Sequence, residues 1–237
     1  MSIAPRLPVF AESGLLRDRT DSCVSRNGFC LDWILANFDR YTGPLTEHVY
    51  LTVLPVAVGL LIALGLGLVA HRRRWLIPPL TGVTTTIYTI PSPALFILLT
   101  PLTGRGNLPG LIALAAYTQV IIFRNVITGL SNVPRAIVDA AHGMGMTSRQ
   151  VLWRVELPLA VPEILAGVRI ATATTVGLAA LIYLAGGGGM GAVIDADLRF
   201  KSNVVTAATL LIALAAVLDL LLLGVQRLLT PWRRVAT

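Results

Sequence analysis

Five stretches of this 237-residue chain are apolar over lengths that match the thickness of a lipid bilayer, and no other feature limits its fold so strongly. A hydrocarbon core takes about 20 consecutive apolar residues per helical span. Val49–Ala70, Leu108–Thr128, Pro162–Ala185 and Val204–Val225 meet that length cleanly. Trp75–Leu102 is also long enough, but Pro78, Pro79, Pro91, Pro93 and Pro101 interrupt it, so it is expected to be kinked or split. The composition agrees: 55% hydrophobic and 13% charged is too apolar for a domain surrounded by water. The expectation is an all-α polytopic membrane protein with about five core spans in one domain, residues 49–230.

Positive charges set the expected orientation, because Lys and Arg are enriched in short cytoplasmic loops. HRRR follows the first span, Arg124, Arg135, Arg149 and Arg154 follow the core of the third, and Arg227, Arg233 and Arg234 follow the fifth. If the spans alternate, all of these share the cytoplasmic side. The opposite loops hold fewer: Arg105 in one, Arg199 and Lys201 in the other. The N-terminus is then outside, and residues 231–237 form a cytoplasmic tail. The net charge of +7 thus reads as topology. Its scatter along membrane borders leaves no basic face for nucleic acid.

Residues 1–30 have little hydrophobic periodicity and no signal-peptide pattern, and are read as a poorly ordered extracytoplasmic tail. Over residues 31–48, Trp33, Ile34, Asn37 and Phe38 fall at helical spacing, which suits a short amphipathic helix at the interface. Cys23 and Cys30 are the only cysteines. An outside location permits a disulfide, and two free thiols are the alternative.

Much enzymatic chemistry is missing. There is no GxxxxGK[ST] loop, HExxH, CxxC or GxSxG elbow, and none of the three histidines has a partner at metal-ligand spacing. No catalytic or metal site is expected. Within the spans, Arg169 and Asp219 carry charge. A charge at the membrane centre costs about 2.5–3.5 kcal/mol on insertion scales, so each is expected to face other helices or an aqueous cavity. A structural contact outweighs a proton relay for Asp219, which lies about two turns from the cytoplasmic end.

The polar stretch at 131–158 is the most informative. Ser131 or Asn132 can cap a helix with Pro134 in its first turn, and Arg135 and Asp139 are spaced to pair across one turn. Gly143 and Gly145 break that helix. Thr147 and Gln150 make a capping box for a second one. Val151, Leu152 and Val155 form its apolar stripe, and Leu157–Pro158 is expected to stop it and turn the chain back to the membrane. Met144, Met146, Leu152 and Trp153 are expected to be exposed. The segment is either a loop that folds back on its own bundle or a docking element for a soluble partner.

The segment resembles the EAA motif of binding-protein-dependent ABC importer permeases. Asp139, Ala140 and Ala141, then Gly145, then Val155, Leu157 and Pro158 keep every gap of that motif, with Asp139 in place of Glu and Val155 in place of Ile. GMGMTSRQVLWRVELPLAVPEILAGVRIATATTVGLAAL, GGGGMG at 186–191, TIPSPAL at 89–95 and FRN at 123–125 resemble permeases for glycine betaine, choline and carnitine. His142 departs from the basic residue expected before GMGM.

The resemblance implies a type I importer permease fold in a bacterial inner membrane. It implies pairing with a second copy or a sister permease, two cytoplasmic ATPase subunits, and an extracytoplasmic solute-binding protein. ATP and Mg then belong to the ATPase, and no cofactor is bound by this chain. The ATPase-coupling residues expected on this basis are Asp139, Ala140, Ala141, Gly143, Met144, Gly145, Met146, Leu152, Trp153, Leu157 and Pro158. Pro91 and Pro93 either unwind the second span to line the path or merely kink it. Gly186, Gly187 and Gly188 make a hinge, a surface for the binding protein, or a plain tight connection. Arg169 joins these as a candidate for the path or gate.

Overall fold

Backbone polar groups inside a bilayer must pair within their own segment, and helices achieve this. The computed structural model describes residues 22–231. Expectations for residues 1–21 and 232–237 lie outside the described residues. Two short helices, α1 (Ser22–Ser25) and α2 (Leu31–Ala36), precede the long α3 (Asp39–Arg72). Then come α4 (Ile77–Thr89), α5 (Ser92–Thr103), α6 (Asn107–Ser131), α7 (Arg135–Gly143), α8 (Ser148–Val151), α9 (Leu157–Ala179), α10 (Met190–Ala196) and α11 (Lys201–Leu229).

Among the described residues, four helical units are long and apolar enough to cross a membrane: 39–72, 107–131, 148–179 and 201–229. Residues 74–89 and 92–103 make a fifth candidate, a helix pair bent by 95°. Of the five prolines in that stretch, Pro91 marks the break. Pro78 and Pro79 lie at the start of α4, Pro93 at the start of α5, and Pro101 sits inside α5 near its end. Ile90, immediately before Pro91, is pushed to extended backbone at ψ 128°. Its carbonyl, freed from the helix, accepts a 2.7 Å hydrogen bond from the Tyr117 hydroxyl.

α3, α6 and α9 form the centre. Phe123, Ile122, Val126, Ala63, Ala70, Ala160 and Ala171 are fully buried between them. Lipid is as apolar as leucine, so close packing rather than hydrophobic exclusion holds such helices together. Small residues make the approach possible. A Cβ at Gly67 of α3 would collide with Val126 of α6, and one at Gly167 of α9 would sit 2.5 Å from Asn125 Cβ. α11 packs on α9 and leaves most of its surface outward.

The N-terminal expectations change. Residues 22–30, expected to be poorly ordered, are closed by a Cys23–Cys30 disulfide and docked on residues 199–202. Asn27 donates its amide to the Arg199 carbonyl and accepts from the Lys201 N–H at 2.9 Å. Ser202 Oγ accepts from the Cys30 N–H at 2.8 Å and donates to the Gly28 carbonyl at 3.0 Å. The helix expected over 31–48 also divides: α2 ends at Ala36, and residues 39–48 already belong to α3. Trp33 and Ile34 face protein, with Trp33 edge-on to Phe200 at 4.6 Å, so the apolar stripe is spent on an intramolecular contact.

The fourth span also shifts. Hydropathy places it at Pro162–Ala185, but the continuous helical unit covers 148–179, and Ile182–Ala185 is a separate tight turn. An apolar window cannot register the polar first turns of this helix.

Candidate functional site

The connection from α6 to α9 is built largely from local sequence rules. Ser131 ends α6 and Asn132 caps its C-terminus, so neither caps α7 as expected. Pro134 takes that place with extended backbone, which suits a residue without an N–H. Arg135 and Asp139 are both exposed and make no ion pair with each other. α7 then closes in a Schellman turn: the Met146 N–H donates to the Ala141 carbonyl at 3.2 Å and the Gly145 N–H to the His142 carbonyl at 2.9 Å. Gly145 is the left-handed residue of that turn, at φ +82°. A Cβ there would meet nothing of this chain within 4 Å, so the backbone angle is what demands glycine. His142 Nδ1, 3.2 Å from the Met146 carbonyl, donates to it and ties the turn further.

α8 starts with the expected capping box, Thr147 and Gln150 each bonding the other's backbone N–H. Its far end departs from expectation, because Leu157–Pro158 does not stop the helix. A π turn at Leu152–Glu156 joins α8 to α9, with the Leu157 N–H reaching back five residues to the Leu152 carbonyl. The wider turn shifts the hydrogen-bond register ahead of Pro158, whose ring and missing N–H otherwise break an α-helix. It also rotates the side chains. Leu152, expected to be exposed, is 4% exposed and packs into the α3–α6–α9 core.

The exposed face that remains is Met144 at 73% and Trp153 at 52%, with Arg149 and Arg154 beside them. Ala140 and Gly143 are also exposed and Met146 is half-buried, while Ala141 is buried beneath α7. Glu156 Oε2 lies 3.2 Å from His71 Nε2, which links the π turn to the end of α3. The motif reading missed this pair because 85 residues separate its members. The α7–α8 element is thus joined to two spans, directly to α9 and through Glu156 to α3.

The glycine run lies at the other end of the bundle and is pinned. Glu47 Oε2 accepts from the Gly189 N–H at 2.8 Å, and its Oε1 accepts from Asn107 Nδ2 at 2.7 Å. Asn107 Oδ1 accepts from the Gly188 N–H at 2.8 Å. His48 Nδ1 accepts from the Met190 N–H and Nε2 donates to the Val176 carbonyl at 3.0 Å, which specifies the neutral Nε2–H tautomer. A Cβ at Gly187 would meet Asn107 Oδ1, and one at Gly188 the Glu47 carboxylate. Gly186 stands at φ +82°. The loop is therefore fastened to α3 and α6. Glu47→Ala is expected to cost about 1.5–3 kcal/mol for each charged hydrogen bond lost, seen as a lower unfolding midpoint of the purified protein. Glu47→Gln should retain part of it.

Arg169, a candidate for the path, is clamped to Asp219. Nε and Nη2 donate to the two carboxylate oxygens at 2.8 Å each, joining α9 to α11. Pro91 lies at the bend between α4 and α5 and Pro93 in the first turn of α5, so the span expected to be kinked or split is two short helices. Among the described residues no cluster of His, Cys, Asp and Glu could hold a metal.

Residues 56–235 match the model of the family described as "Binding-protein-dependent transport system inner membrane component". An osmoprotectant import permease protein of Salmonella typhimurium is 37% identical over 202 residues, 81% of this chain and 93% of the relative. A choline transport system permease protein of Bacillus subtilis is 35% identical, over 78% of this chain and 86% of its own length. A glycine betaine/carnitine/choline transport system permease protein of the same organism is 33% identical over the same shares. Among solved structures, the inward-facing MetNI methionine ABC transporter superposes with a TM-score of 0.71 at 22% identity, covering 84% of this chain and 97% of its own. An amino acid ABC transporter gives 0.69 at 18% identity, covering 84% and 98%. The fold is that of type I ABC importer permeases.

Proposed function

The chain belongs to the binding-protein-dependent transport system inner membrane components, and from that premise we propose that it is the membrane-spanning permease subunit of an ATP-driven bacterial importer of compatible solutes. The cargo class is quaternary amines such as glycine betaine, choline and carnitine, or proline, the first three being named for its relatives. The observation that carries this reading is the α7–α8 element: a helix pair joined by a Schellman turn and a capping box, which exposes Met144 and Trp153 and continues without interruption into α9. Such an exposed apolar anchor suits the groove of a separate ATPase, which supplies the ATP and Mg sites. Two permeases, either two copies of this chain or this chain and a sister, enclose the path. Closing of the ATPase pair draws both docking elements together and tilts α9, and through Glu156 also α3, switching the side on which the path opens. An extracytoplasmic binding protein delivers the solute.

The N-terminus is outside and the C-terminus is cytoplasmic in this reading. The arginine distribution supports it. The Cys23–Cys30 disulfide supports it independently, since such bonds persist on the oxidising side. In spheroplasts, reduction by an impermeant phosphine followed by an impermeant maleimide should label both cysteines; labelling only after permeabilisation reverses the orientation.

Transport is tested in proteoliposomes holding the permease, its ATPase and the binding protein. ATP-dependent uptake of a labelled quaternary amine, insensitive to protonophores, is expected. Uptake driven by an imposed proton or sodium gradient without the ATPase would instead establish a secondary carrier. That alternative needs an acid free to exchange ions, and Asp219 is committed to Arg169.

A further inference from the structure

Arg169 lies within α9, and Arg124, counted from the sequence with the cytoplasmic charges, lies within α6, seven residues before its end; their surroundings differ. Arg169 is neutralised by Asp219. Arg124 donates Nη2 to Thr85 Oγ1 at 3.0 Å, and no carboxylate among the described residues pairs with it. Arg124 precedes the end of α6 and Thr85 follows the start of α4 by similar numbers of residues, so both sit about 10–12 Å in from one end of the bundle. That hydrogen bond ties the guanidinium to α4 at this level of the bundle. It is exposed, and a cation on a span without a counter-charge needs water or an anion beside it.

The surface next to it is polar and aromatic. Thr81, Thr85, Tyr88 and Thr89 share one face of α4, at i, i+4, i+7 and i+8. Tyr88 is 41% exposed, and its ring is set edge-on against the buried Tyr117 at 5.7 Å. Tyr117 is itself anchored by its hydroxyl to the Ile90 carbonyl at the bend. An oriented aromatic ring therefore stands about 4.5 Å along the helix axis from the residue that holds the guanidinium.

A guanidinium takes a carboxylate through two parallel hydrogen bonds. An aromatic face takes a quaternary ammonium. We propose that Arg124 and Tyr88 form a transit subsite for zwitterionic cargo, Arg124 receiving the carboxylate and Tyr88 the trimethylammonium group, so that this permease favours carboxylate-bearing betaines over carboxylate-free choline. The proposal rests on the import reading and narrows its substrate class.

The test is uptake by the reconstituted complex, with glycine betaine and choline each presented on saturating binding protein. Arg124→Gln is expected to lower betaine uptake roughly tenfold, as loss of a charged hydrogen-bonded contact does, and choline uptake by less than about twofold. Arg124→Lys should recover part of the betaine uptake, since it retains charge without the fork. Tyr88→Leu should lower both cargos. Should Arg124→Gln fail to assemble, Arg124→Lys against Tyr88→Leu carries the same comparison. Equal loss for both cargos in the Arg124 variants overturns the subsite; if that loss depends on anionic lipid, Arg124 holds a lipid phosphate instead. A wild type that carries choline but no carboxylate-bearing cargo also overturns it, with the importer reading intact. One that carries only betaines supports it if Arg124→Gln abolishes uptake and Arg124→Lys restores it. A wild type that carries no quaternary amine removes the import reading, and the subsite with it.

Discussion

Replacing Gly145 with tryptophan is expected to leave the permease in the membrane and to abolish solute-stimulated ATP hydrolysis by the reconstituted complex. Two effects act together. At φ +82° any L side chain adds about 1–2 kcal/mol of backbone strain, enough to open the Schellman turn that sets the angle between α7 and α8. The bulky ring also projects from a face on which no atom of this chain stands within 4 Å of a Cβ, the space a docked ATPase is proposed to fill. Hydrolysis by the variant complex should therefore fall to the rate seen without solute. Gly145→Ala separates the effects, because it adds the strain with little bulk. Stimulation retained in the tryptophan variant would remove the docking role from this turn.

The second large effect concerns Arg169 and Asp219. Replacing either with leucine leaves the other charge without its partner inside a span, at about 2.5–3.5 kcal/mol on insertion scales. On proteins of ordinary marginal stability, that lowers the folded fraction severely. Both single variants should accumulate poorly in membranes. The double variant, Arg169→Leu with Asp219→Leu, should accumulate nearly as well as the wild type, because replacing both members of a low-dielectric pair leaves no orphan charge. Uptake by the double variant then decides the role of Arg169. Normal transport makes the pair a clamp between α9 and α11, whereas good accumulation without transport restores Arg169 to the path.

The elements legible in the sequence are those governed by neighbouring residues. Thr147 and Gln150 form a capping box because both bonding groups lie within one helical turn. Gly145 ends α7 for an equally local reason, whereas Gly143, expected to break the helix with it, is still helical. The split at Pro91 follows from the restriction proline places on the residue before it. Where local reasoning fails, a second local rule or a distant partner prevails. Pro158 reads as a stop, but a π turn just before it carries the helix through. That one extra residue in the turn moves Leu152 from the expected exposed face into the core. Residues 22–30 lack periodicity, yet the disulfide and the 199–202 turn hold them in place.

By itself the sequence determined the four bilayer-length helices, the broken apolar stretch at Pro91, and the register of Asp139, Gly145 and Leu157–Pro158, since hydropathy, capping and turn chemistry act over one or a few helical turns. Only the tertiary structure decided which charges are matched. Arg169 finds Asp219 at a separation of 50 residues, Glu47 finds Gly189 at 142, and Arg124 finds only a threonine hydroxyl. Periodicity tells which face of a helix is polar but not which other helix that face meets. In a bilayer, where apolar contact scarcely distinguishes a neighbouring helix from lipid, that choice falls to close packing at glycines and to pairing of the few polar groups.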